Sequence, residues 1–480
     1  MKFLRNEQIQ FLGLFVAVIL IRYLLPPTIV NLALLVTLPA FWFSRRNYFW
    51  FGFFFLLVDA PGMFFSIADP QFHLPSYNLF PGVGRDIFIV ELFIMLALVK
   101  ASIQKEKEQT LFYIPLMIIF TYFIFLFIYS MVLGISTMKI FNVIRRFLPY
   151  SLIYSICRLF KSEEDYVRLL QLLFPVVFIG FLTQIYEIIF LQPLSALLGG
   201  NVGILIESAD EFNSVESQTL VRTITCPYIS IATLIGALYY YTSNNSPFRK
   251  NYLIAVIFID LFLIVMSGTR GWIAAYIVML FLFFLIFRKQ FVLTLRRSLI
   301  PAIVLLLFIT VAPSIIGNFK ASIERFSTVE SVIEGDLSAG NTAKRYTEYT
   351  PFLLEKWIEK PVFGWAFSDQ FFSYNNPHAG YPNLLMNAGI VGILLFLFLF
   401  VRFVYRILFI QRKFPLNSRS LSVFLIGLTG FMIINASSMQ FFGFLGSFHS
   451  GQTFTLVFFL VFTDRVLKSH ILKNLQLMSR

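Results

Sequence analysis

The sequence predicts an all-α membrane protein, a polytopic bundle of about fourteen transmembrane helices with both termini in the cytoplasm. Three observations predict this fold. First, 58% of the 480 residues are hydrophobic and 13% are charged, whereas a soluble domain carries roughly 25% charged residues. Second, the apolar residues form runs of about 15 to 25, which matches the thickness of a bilayer core. Third, the basic residues lie mainly in the short connectors between these runs.

The predicted spans make one integral membrane domain of residues 1–480. They are residues 8–25, 28–43, 47–67, 86–102, 111–133, 147–160, 166–190, 223–242, 251–267, 271–287, 298–314, 383–406, 420–441 and 450–464. The support is weakest for 86–102, which contains a glutamate, and for 147–160, which is short. The first run is followed by two prolines rather than by a small-residue cleavage site, so we expect an uncleaved first span.

The charge distribution sets the predicted orientation. With a cytoplasmic N-terminus and alternating spans, about 25 of the 38 basic residues fall on the cytoplasmic side. The net charge of +13 is therefore typical of a membrane protein and does not indicate nucleic-acid binding. The largest extracytoplasmic loop then runs over residues 315–382, with short helices expected in it, and a second covers about 191–222.

The predicted architecture excludes several classes of protein. No cytoplasmic loop exceeds roughly a dozen residues, and an independent domain needs about 50. The sequence has neither a P-loop nor an Asp-x-Asp motif, so neither an ATPase domain nor a nucleotide-sugar-binding domain is expected. Two distant cysteines and no Cys/His cluster predict neither a disulfide nor a metal site. An enzyme of this shape would take its donor from the membrane.

Four ionisable residues fall inside predicted spans: Asp59, Glu91, Glu187 and Asp260. Such residues are costly in lipid and usually face the interior of the bundle or a water-filled cavity. Two interpretations stay open for them. They line a polar substrate path, or they make buried structural hydrogen bonds.

The first motif is the segment Ser267–Trp272, between two spans that otherwise run together. Glycines follow both Ser267 and Arg270 at this tight outer-face connection. Such a turn can present an arginine and backbone N–H groups to an anion. A plain hairpin also needs its glycines.

The second motif begins at Arg345 and continues with apolar residues at helical spacing, from Tyr346 to Trp357. This pattern predicts a short helix lying on the membrane surface. Thr350 and Pro351 can serve as an N-cap and a first helical position, so a break of the helix is expected there.

The third motif is Asn375–Tyr381, which leads into the next span through Gly389 and Gly392. It contains His378, one of four histidines. A lone histidine is more often structural than catalytic. The predicted position of His378, in the same outer layer as Arg270 and Arg345, favours a functional role.

Together the three motifs resemble the O-antigen polymerase and ligase superfamily, the Wzy/WaaL-type, GT-C-like membrane glycosyltransferases. That family shows an arginine turn between two spans, then a loop with an arginine, a Pro-x-x-Gly-x-Gly element, a His-Asn pair and a Gly-x-x-Gly span. The resemblance covers Ser267 to Phe400. The matching positions are Arg270, Arg345, Pro361, Gly364, His378, Gly389 and Gly392.

Two positions depart from the family pattern. Ala366 stands where the family has the second loop glycine, and Ala379 stands where it has the asparagine after the histidine. These departures put the fine geometry around His378 in question, and they leave the branch of the superfamily open.

The resemblance implies transfer of a glycan from undecaprenyl diphosphate to an acceptor hydroxyl, at the outer face of the bacterial inner membrane, without a metal or other cofactor. Arg270 and Arg345 would clamp the diphosphate leaving group, because guanidinium groups match phosphate oxygens with two parallel hydrogen bonds. His378 would accept the proton of the acceptor or orient the acceptor or phosphate by a hydrogen bond. Direct displacement would invert the anomeric centre. Weaker candidates for substrate binding are Arg145, Arg146, Arg222, Lys344, Glu348 and Tyr381, with Glu348 also a fallback base.

Polymerase and ligase differ only in the acceptor. The numerous spans favour a polymerase, whose acceptor is another lipid-linked repeat unit and whose implied partners are a chain-length regulator and other polysaccharide-assembly proteins. A ligase would use lipid A–core or a protein hydroxyl. A lipid-linked oligosaccharide flippase is the alternative of another class, although repeated halves typical of transporters are not evident. An inactive scaffold of an export complex is a further alternative. No nucleic-acid partner is expected.

Overall fold

The computed structural model describes most of the chain. The described residues are 2–59, 89–104, 110–191, 206–207, 220–221, 226–290, 292, 313–333, 345–376, 379–415, 418–437, 441–444 and 450–478. The helices of the first part are α1 (Lys2–Leu24), α2 (Pro27–Phe43), α3 (Asn47–Asp59), α4 (Ile89–Ile103), α5 (Tyr113–Leu133), α6 (Thr137–Phe147), α7 (Leu152–Leu159) and α8 (Glu163–Phe190).

The second part of the chain is also helical. Its helices are α9 (Pro227–Thr242), α10 (Lys250–Met266), α11 (Arg270–Ile286), α12 (Pro313–Ile333), α13 (Thr350–Ile358), α14 (Asp369–Tyr374), α15 (Gly380–Lys413), α16 (Ser422–Ser437) and α17 (Ser450–Met478). Short helical turns cover Leu148–Ser151, Arg345–Tyr349 and Arg419–Leu421. Two-residue strands, Ile206–Glu207 and Leu220–Val221, pair antiparallel, with Ile206 opposite Val221.

The prediction of an all-helical membrane protein is confirmed. Among the described residues, four helices are long and apolar enough to cross a membrane: Tyr113–Leu133, Glu163–Phe190, Gly380–Lys413 and Arg419–Ala436. Shorter apolar helices include Leu32–Phe43, Asn47–Asp59 and Arg270–Ile286. Most of the predicted span 298–314 lies outside the described residues. The predicted span 147–160 is a 3₁₀ turn followed by α7, not one continuous helix.

Phenylalanine rings fill much of the core between α3, α4 and α17. Phe54 stacks on Phe93 with ring centroids 4.0 Å apart, and Phe51 stacks on Phe454 at 5.1 Å. All four side chains are buried. Large flat rings bury extensive apolar area and pack in offset or edge-on geometry. These contacts join helices that are distant in sequence and account for part of the high phenylalanine content.

Contacts between helix termini define one end of the bundle, here called the Arg270 end. The Asp59 carboxylate, at the end of α3, accepts the backbone N–H of Tyr228 at 3.0 Å, at the start of α9. Tyr228 packs edge-on against Trp272, at the start of α11. Gly380, at the start of α15, packs on the backbone of Asn435 near the end of α16. Starts of α9, α11 and α15 therefore lie together with the ends of α3 and α16 at this end of the bundle.

The opposite end carries basic side chains in its helix contacts. The Lys100 ammonium group donates to the Phe41 carbonyl at 2.7 Å and to Asn47 Oδ1 at 2.9 Å, which satisfies the end of α2. Arg419 donates to the carbonyl of Ile286, at the end of α11. The Arg270 end is thus distant from the end of α2, the end of α11 and the start of α3.

Helix α15 is broken at Gly389, which adopts φ +63° and ψ −170°. The break separates a first half, residues 380–388, from a second half, residues 390–413. A Cβ at Gly389 would overlap the Val362 carbonyl, so only glycine fits this conformation and this close approach.

A turn at residues 361–368, here called the mending turn, satisfies the backbone groups that the break frees. Carbonyl groups of the turn accept hydrogen bonds from the second half of α15: the Ile390 N–H donates to the Pro361 oxygen at 3.0 Å. Its N–H groups donate to the first half: the Trp365 N–H bonds the Met386 oxygen at 2.7 Å. Irregular backbone within a membrane protein needs such internal partners, because lipid offers none.

The mending turn also packs against the side of α5. The Phe367 N–H donates to Ser130 Oγ at 2.8 Å, and the Phe367 ring lies 5.5 Å from the Phe123 ring. The hydroxyl of Tyr122 in α5 donates a hydrogen bond of 2.7 Å to the carbonyl of Ala388, the last residue of the first half of α15. The mending turn therefore lies against two of the helices that are long and apolar enough to cross a membrane.

Three of the four ionisable residues in predicted spans have defined structural partners. Asp59 accepts two backbone N–H groups at the start of α9. Asp260 accepts from the Thr233 hydroxyl at 3.1 Å, and Glu91 pairs with Arg145. Glu187 is fully buried in α8. For the three paired residues the structure favours structural hydrogen bonding over a polar path.

Candidate functional site

The arginine turn joins α10 to α11 at the Arg270 end. Ser267 Oγ donates to the Ile264 carbonyl at 2.7 Å and accepts from the Thr269 N–H at 3.3 Å. Gly268 adopts φ +60°, which glycine reaches without steric cost. Arg270 is the first residue of α11 and is half-buried. A helix start carries partial positive charge from its backbone amides, so guanidinium and helix favour an anion together.

An aromatic cluster supports the start of α11. Trp272 lies 5.7 Å from Tyr228 and 6.1 Å from Phe441, measured between ring centroids. The Tyr228 hydroxyl accepts from Gln452 Nε2 at 2.8 Å. Because these four side chains are buried, they fix the position of the turn that carries Arg270.

The start of α15 lies on the same end of the bundle. The Tyr381 hydroxyl donates to the Met432 carbonyl of α16 at 3.0 Å. Asn435 Oδ1, near the end of α16, accepts the N–H groups of Phe441 and Phe442, each at 3.0 Å. A short series of buried contacts therefore connects the residues that flank position 378 with Trp272. His378 itself lies outside the described residues.

Arg345 is the first residue of the π-helical turn, which passes directly into α13 at Thr350. Its side chain lies outside what the structure describes. A helix is present in this segment: α13 begins with Thr350 and Pro351, with Tyr349 rather than Thr350 at the N-cap position, and the π-helical turn before it replaces the expected break. Trp357 Nε1 donates to the Pro361 carbonyl at 3.0 Å, so α13 holds the mending turn.

The weaker substrate-binding candidates lie in different environments in the structure. Arg145 pairs with Glu91 through two hydrogen bonds, of 2.7 Å from Nε and 3.1 Å from Nη2. Arg146 is half-buried in the last turn of α6, and Glu348 is exposed in the π-helical turn. Lys344 and Arg222 lie outside the described residues. The Tyr381 hydroxyl is bonded to α16, as described above.

The departures at Ala366 and Ala379 have visible consequences. Ala366 adopts φ +48°, the left-handed conformation that glycine prefers, so the family's glycine would fit the backbone better here. Ala379 occupies the N-cap position of α15 and makes no side-chain cap, where asparagine would be well suited.

Several residues that shape the Arg270 end of the bundle were not predicted from the sequence. Helix α12 packs on the end of α10, where Asn318 Nδ2 donates to the Met266 carbonyl at 3.1 Å. Asn435 was not singled out either, although an asparagine inside an apolar span is a signal by itself. Among the described residues, no group of three or more His, Cys, Asp or Glu side chains could hold a metal ion.

The fold and the Arg270 end define a class of protein, an integral membrane protein built as a helix bundle. At one end of the bundle, buried contacts hold both the arginine at the start of α11 and the start of the broken helix α15. Residues 255–397 match the model of a family described as O-antigen ligase. This match confirms the resemblance of the segment to the O-antigen polymerase and ligase superfamily. The matched range contains the arginine turn, the π-helical turn, position 378 and Gly389. No curated protein matches the chain.

Proposed function

We propose that this chain is a membrane glycosyltransferase. It polymerises undecaprenyl-diphosphate-linked oligosaccharide repeat units into O-antigen or a related surface polysaccharide, at the outer face of the bacterial inner membrane. The observation that carries the proposal is the family match over residues 255–397, which includes the Arg270 turn at the end of the bundle where α15 begins. The bilayer supplies the donor, and a chain-length regulator and other assembly proteins are its partners.

In the proposed orientation the Arg270 end faces outward, with about fourteen spans and both termini in the cytoplasm. The opposite end carries Lys100, Arg419 and Arg465 in contacts with helix ends. Clustering of basic residues at one end supports a cytoplasmic location for that end. The loop of residues 315–382 then lies on the outer face, where the lipid-linked donor presents its glycan.

The proposed reaction is one displacement. The acceptor oxygen forms a bond to the anomeric carbon, and the bond from that carbon to the diphosphate breaks, so the centre inverts. The bonding electrons pass to the diphosphate, where Arg270 and Arg345 balance the developing charge. The acceptor proton passes to His378. No metal or other cofactor is part of the proposal, because two permanently charged guanidinium groups can stabilise the leaving group.

A ligase is the second candidate, and the description of the matched family favours it. The donor and the chemistry are unchanged, and the acceptor is lipid A–core or a protein hydroxyl. The two candidates therefore share the same residues, and only the acceptor distinguishes them.

The test is a transfer assay with purified protein in lipid nanodiscs and a synthetic undecaprenyl-diphosphate repeat unit as sole substrate. A ladder of longer glycans supports the polymerase. Transfer only after lipid A–core or an acceptor protein is added supports the ligase. Absence of transfer to any acceptor contradicts both, and vesicle translocation of the same lipid would then establish a flippase.

Substitutions locate the site in the same assay. We expect Arg270→Ala, Arg345→Ala and His378→Ala each to lower kcat by at least about 100-fold, as loss of a group that stabilises the transition state does. Arg402→Ala is the matched control, since Arg402 lies in the second half of α15 beside Tyr405. Equal losses in the control and in the three variants would contradict the assignment.

A further inference from the structure

We propose that Asn435 is a positioning residue, which fixes the start of α15 relative to the turn that carries Arg270. The inference rests on the proposed function for its catalytic consequence, but its structural part can be tested separately. Asn435 lies outside the segment that matches the family model. It is fully buried near the end of α16.

The side chain of Asn435 binds the chain that follows α16. One atom, Oδ1, accepts the backbone N–H groups of both Phe441 and Phe442 at 3.0 Å. Buried amides without an acceptor are unfavourable, so these two bonds hold residues 441–442 against the last turns of the helix. At the same end of the bundle the Asp59 carboxylate also accepts two successive N–H groups, that of Tyr228 on Oδ1 and that of Ile229 on Oδ2.

The backbone of Asn435 also contacts the start of α15. A Cβ on Gly380 would overlap the carbonyl oxygen of Asn435, so the first residue of α15 lies directly on this peptide group. The Tyr381 hydroxyl donates to the Met432 carbonyl at 3.0 Å, one turn before Asn435 in α16. These contacts hold the first turn of α15 on α16, two residues after His378.

The connection continues towards Arg270 through Phe441. The Phe441 ring is buried and lies 6.1 Å from Trp272 and 4.7 Å from Phe431. Trp272 lies two residues after Arg270. The side chain of Asn435 thus holds Phe441 in place by hydrogen bonds, and the peptide group of Asn435 holds Gly380 in place. A single residue therefore contacts both elements.

This arrangement predicts a specific kinetic effect. A displacement of about 1 Å between groups that act on one reaction can lower the rate about 100-fold. Asn435 is buried beneath the two elements, so its loss would change their separation without removing a group that binds the glycan. We therefore expect kcat to fall while KM changes little.

The first experiment compares Asn435→Leu with Asn435→Asp in the glycan-transfer assay. Leucine has a similar size but no acceptor, whereas aspartate keeps an oxygen for both N–H groups. We expect a fall in kcat of about 100-fold for Asn435→Leu, KM within about threefold, and recovery of most activity in Asn435→Asp. The matched control is Asn47→Leu, which removes a half-buried amide at the opposite end, where Asn47 binds Lys100 and the Leu159 carbonyl.

The second experiment measures distance directly and needs no activity. Spin labels replace Thr269 and Pro382, both half-buried, and the native cysteines are buried. We expect Asn435→Leu to shift or broaden the label distance, and Asn435→Asp and Asn47→Leu to leave it unchanged. Gly380→Ala displaces α15 without removing the Asn435 side chain, so it should also shift the label distance. This variant provides the test if Asn435→Leu does not fold.

An unchanged distance in a folded Asn435→Leu variant would overturn the inference, as would an unchanged distance in Gly380→Ala if Asn435→Leu does not fold. So would a shifted distance with unaltered kcat in an active enzyme. If the unsubstituted protein transfers no glycan, the proposed function fails, whereas the distance measurement still decides the positioning role of Asn435.

Discussion

Ala366 and Asn387 exchange two hydrogen bonds across the break in α15. The Ala366 N–H donates to the Asn387 carbonyl at 2.7 Å, and Asn387 Nδ2 donates to the Ala366 carbonyl at 2.6 Å. Both residues are fully buried. Because both bonds depend on the left-handed backbone of Ala366, this single residue controls how well the mending turn closes the break.

We expect Ala366→Gly to be tolerated and Ala366→Val to be strongly destabilising. Glycine adopts a positive φ freely, which offsets the loss of one buried methyl group, whereas a β-branched residue in this conformation costs about 1–3 kcal/mol. The measurement is thermal unfolding in detergent. Ala237→Gly, inside the regular helix α9, is the control and should be destabilised by about 0.5–1 kcal/mol. A larger loss in Ala366→Gly than in this control would contradict the interpretation.

Gly389→Ala should lose at least about 3 kcal/mol of stability, because the added Cβ meets the Val362 carbonyl in a backbone conformation that disfavours alanine. The same substitution at Gly13 in α1 is the control, since a Cβ there meets nothing within 4 Å. Helix propensity predicts that Gly13→Ala is neutral or stabilising by up to about 1 kcal/mol. Unfolding in a titration with denaturing detergent compares the two, and equal effects would disprove the steric argument.

Arg145 is predicted to act as the partner of Glu91 rather than as a ligand for the diphosphate. Both side chains are largely buried, at 23% and 14% exposure, so removal of either one leaves a poorly solvated charge. We expect a coupling free energy of about 1–3 kcal/mol in a double-mutant cycle of Arg145→Leu and Glu91→Leu.

Activity distinguishes the two roles of Arg145. The double variant should keep most glycan transfer, since it removes both charges together, whereas Arg270→Ala should not. Loss of transfer in a stably folded double variant would restore Arg145 as a substrate ligand.

The contact between Asp369 and α6 should depend on pH. Asp369 Oδ1 lies 2.9 Å from Lys139 Nζ and accepts the Ser136 N–H at 3.2 Å, and these bonds lower the pKa of the Asp369 carboxyl. A depressed pKa contributes stability above the ordinary value, near 3.9, and this stability is lost as the pH falls through the folded pKa. Asp369→Asn should therefore be less stable than the parent at neutral pH, with the difference vanishing in acid.

Unfolding curves of both proteins between neutral pH and pH about 3 provide the measurement. Lys356, which pairs with Glu359 at 2.7 Å on α13, supplies the control substitution Lys356→Gln. A difference between parent and Asp369→Asn that persists unchanged in acid would show that the ion pair is not responsible.

The periodicity and length of the apolar runs predicted most of the helices, because each run is a local property of the chain. The arginine turn and the helix at Thr350 were predicted for the same reason. The mending turn was not, since its bonds join residues 361–366 to 386–391 and depend on backbone angles at Gly389. Nor was the partner of Arg145, which lies 54 residues away in sequence. Asn435 belongs to no motif, and its role arises only from three elements that meet at one point.

The mending turn has a mechanical consequence. Because it bonds to both halves of α15 at once, the first half cannot tilt about Gly389 by itself without exposing carbonyl and N–H groups to hydrocarbon. Any opening of this side of the protein to admit a lipid-linked substrate would have to move residues 361–368 and 380–388 together, sliding over α5 as one body. The resistance to such a motion comes from the contacts with α5 at Ser130 and Tyr122, and from the contacts of α15 with α16 at Gly380 and Tyr381.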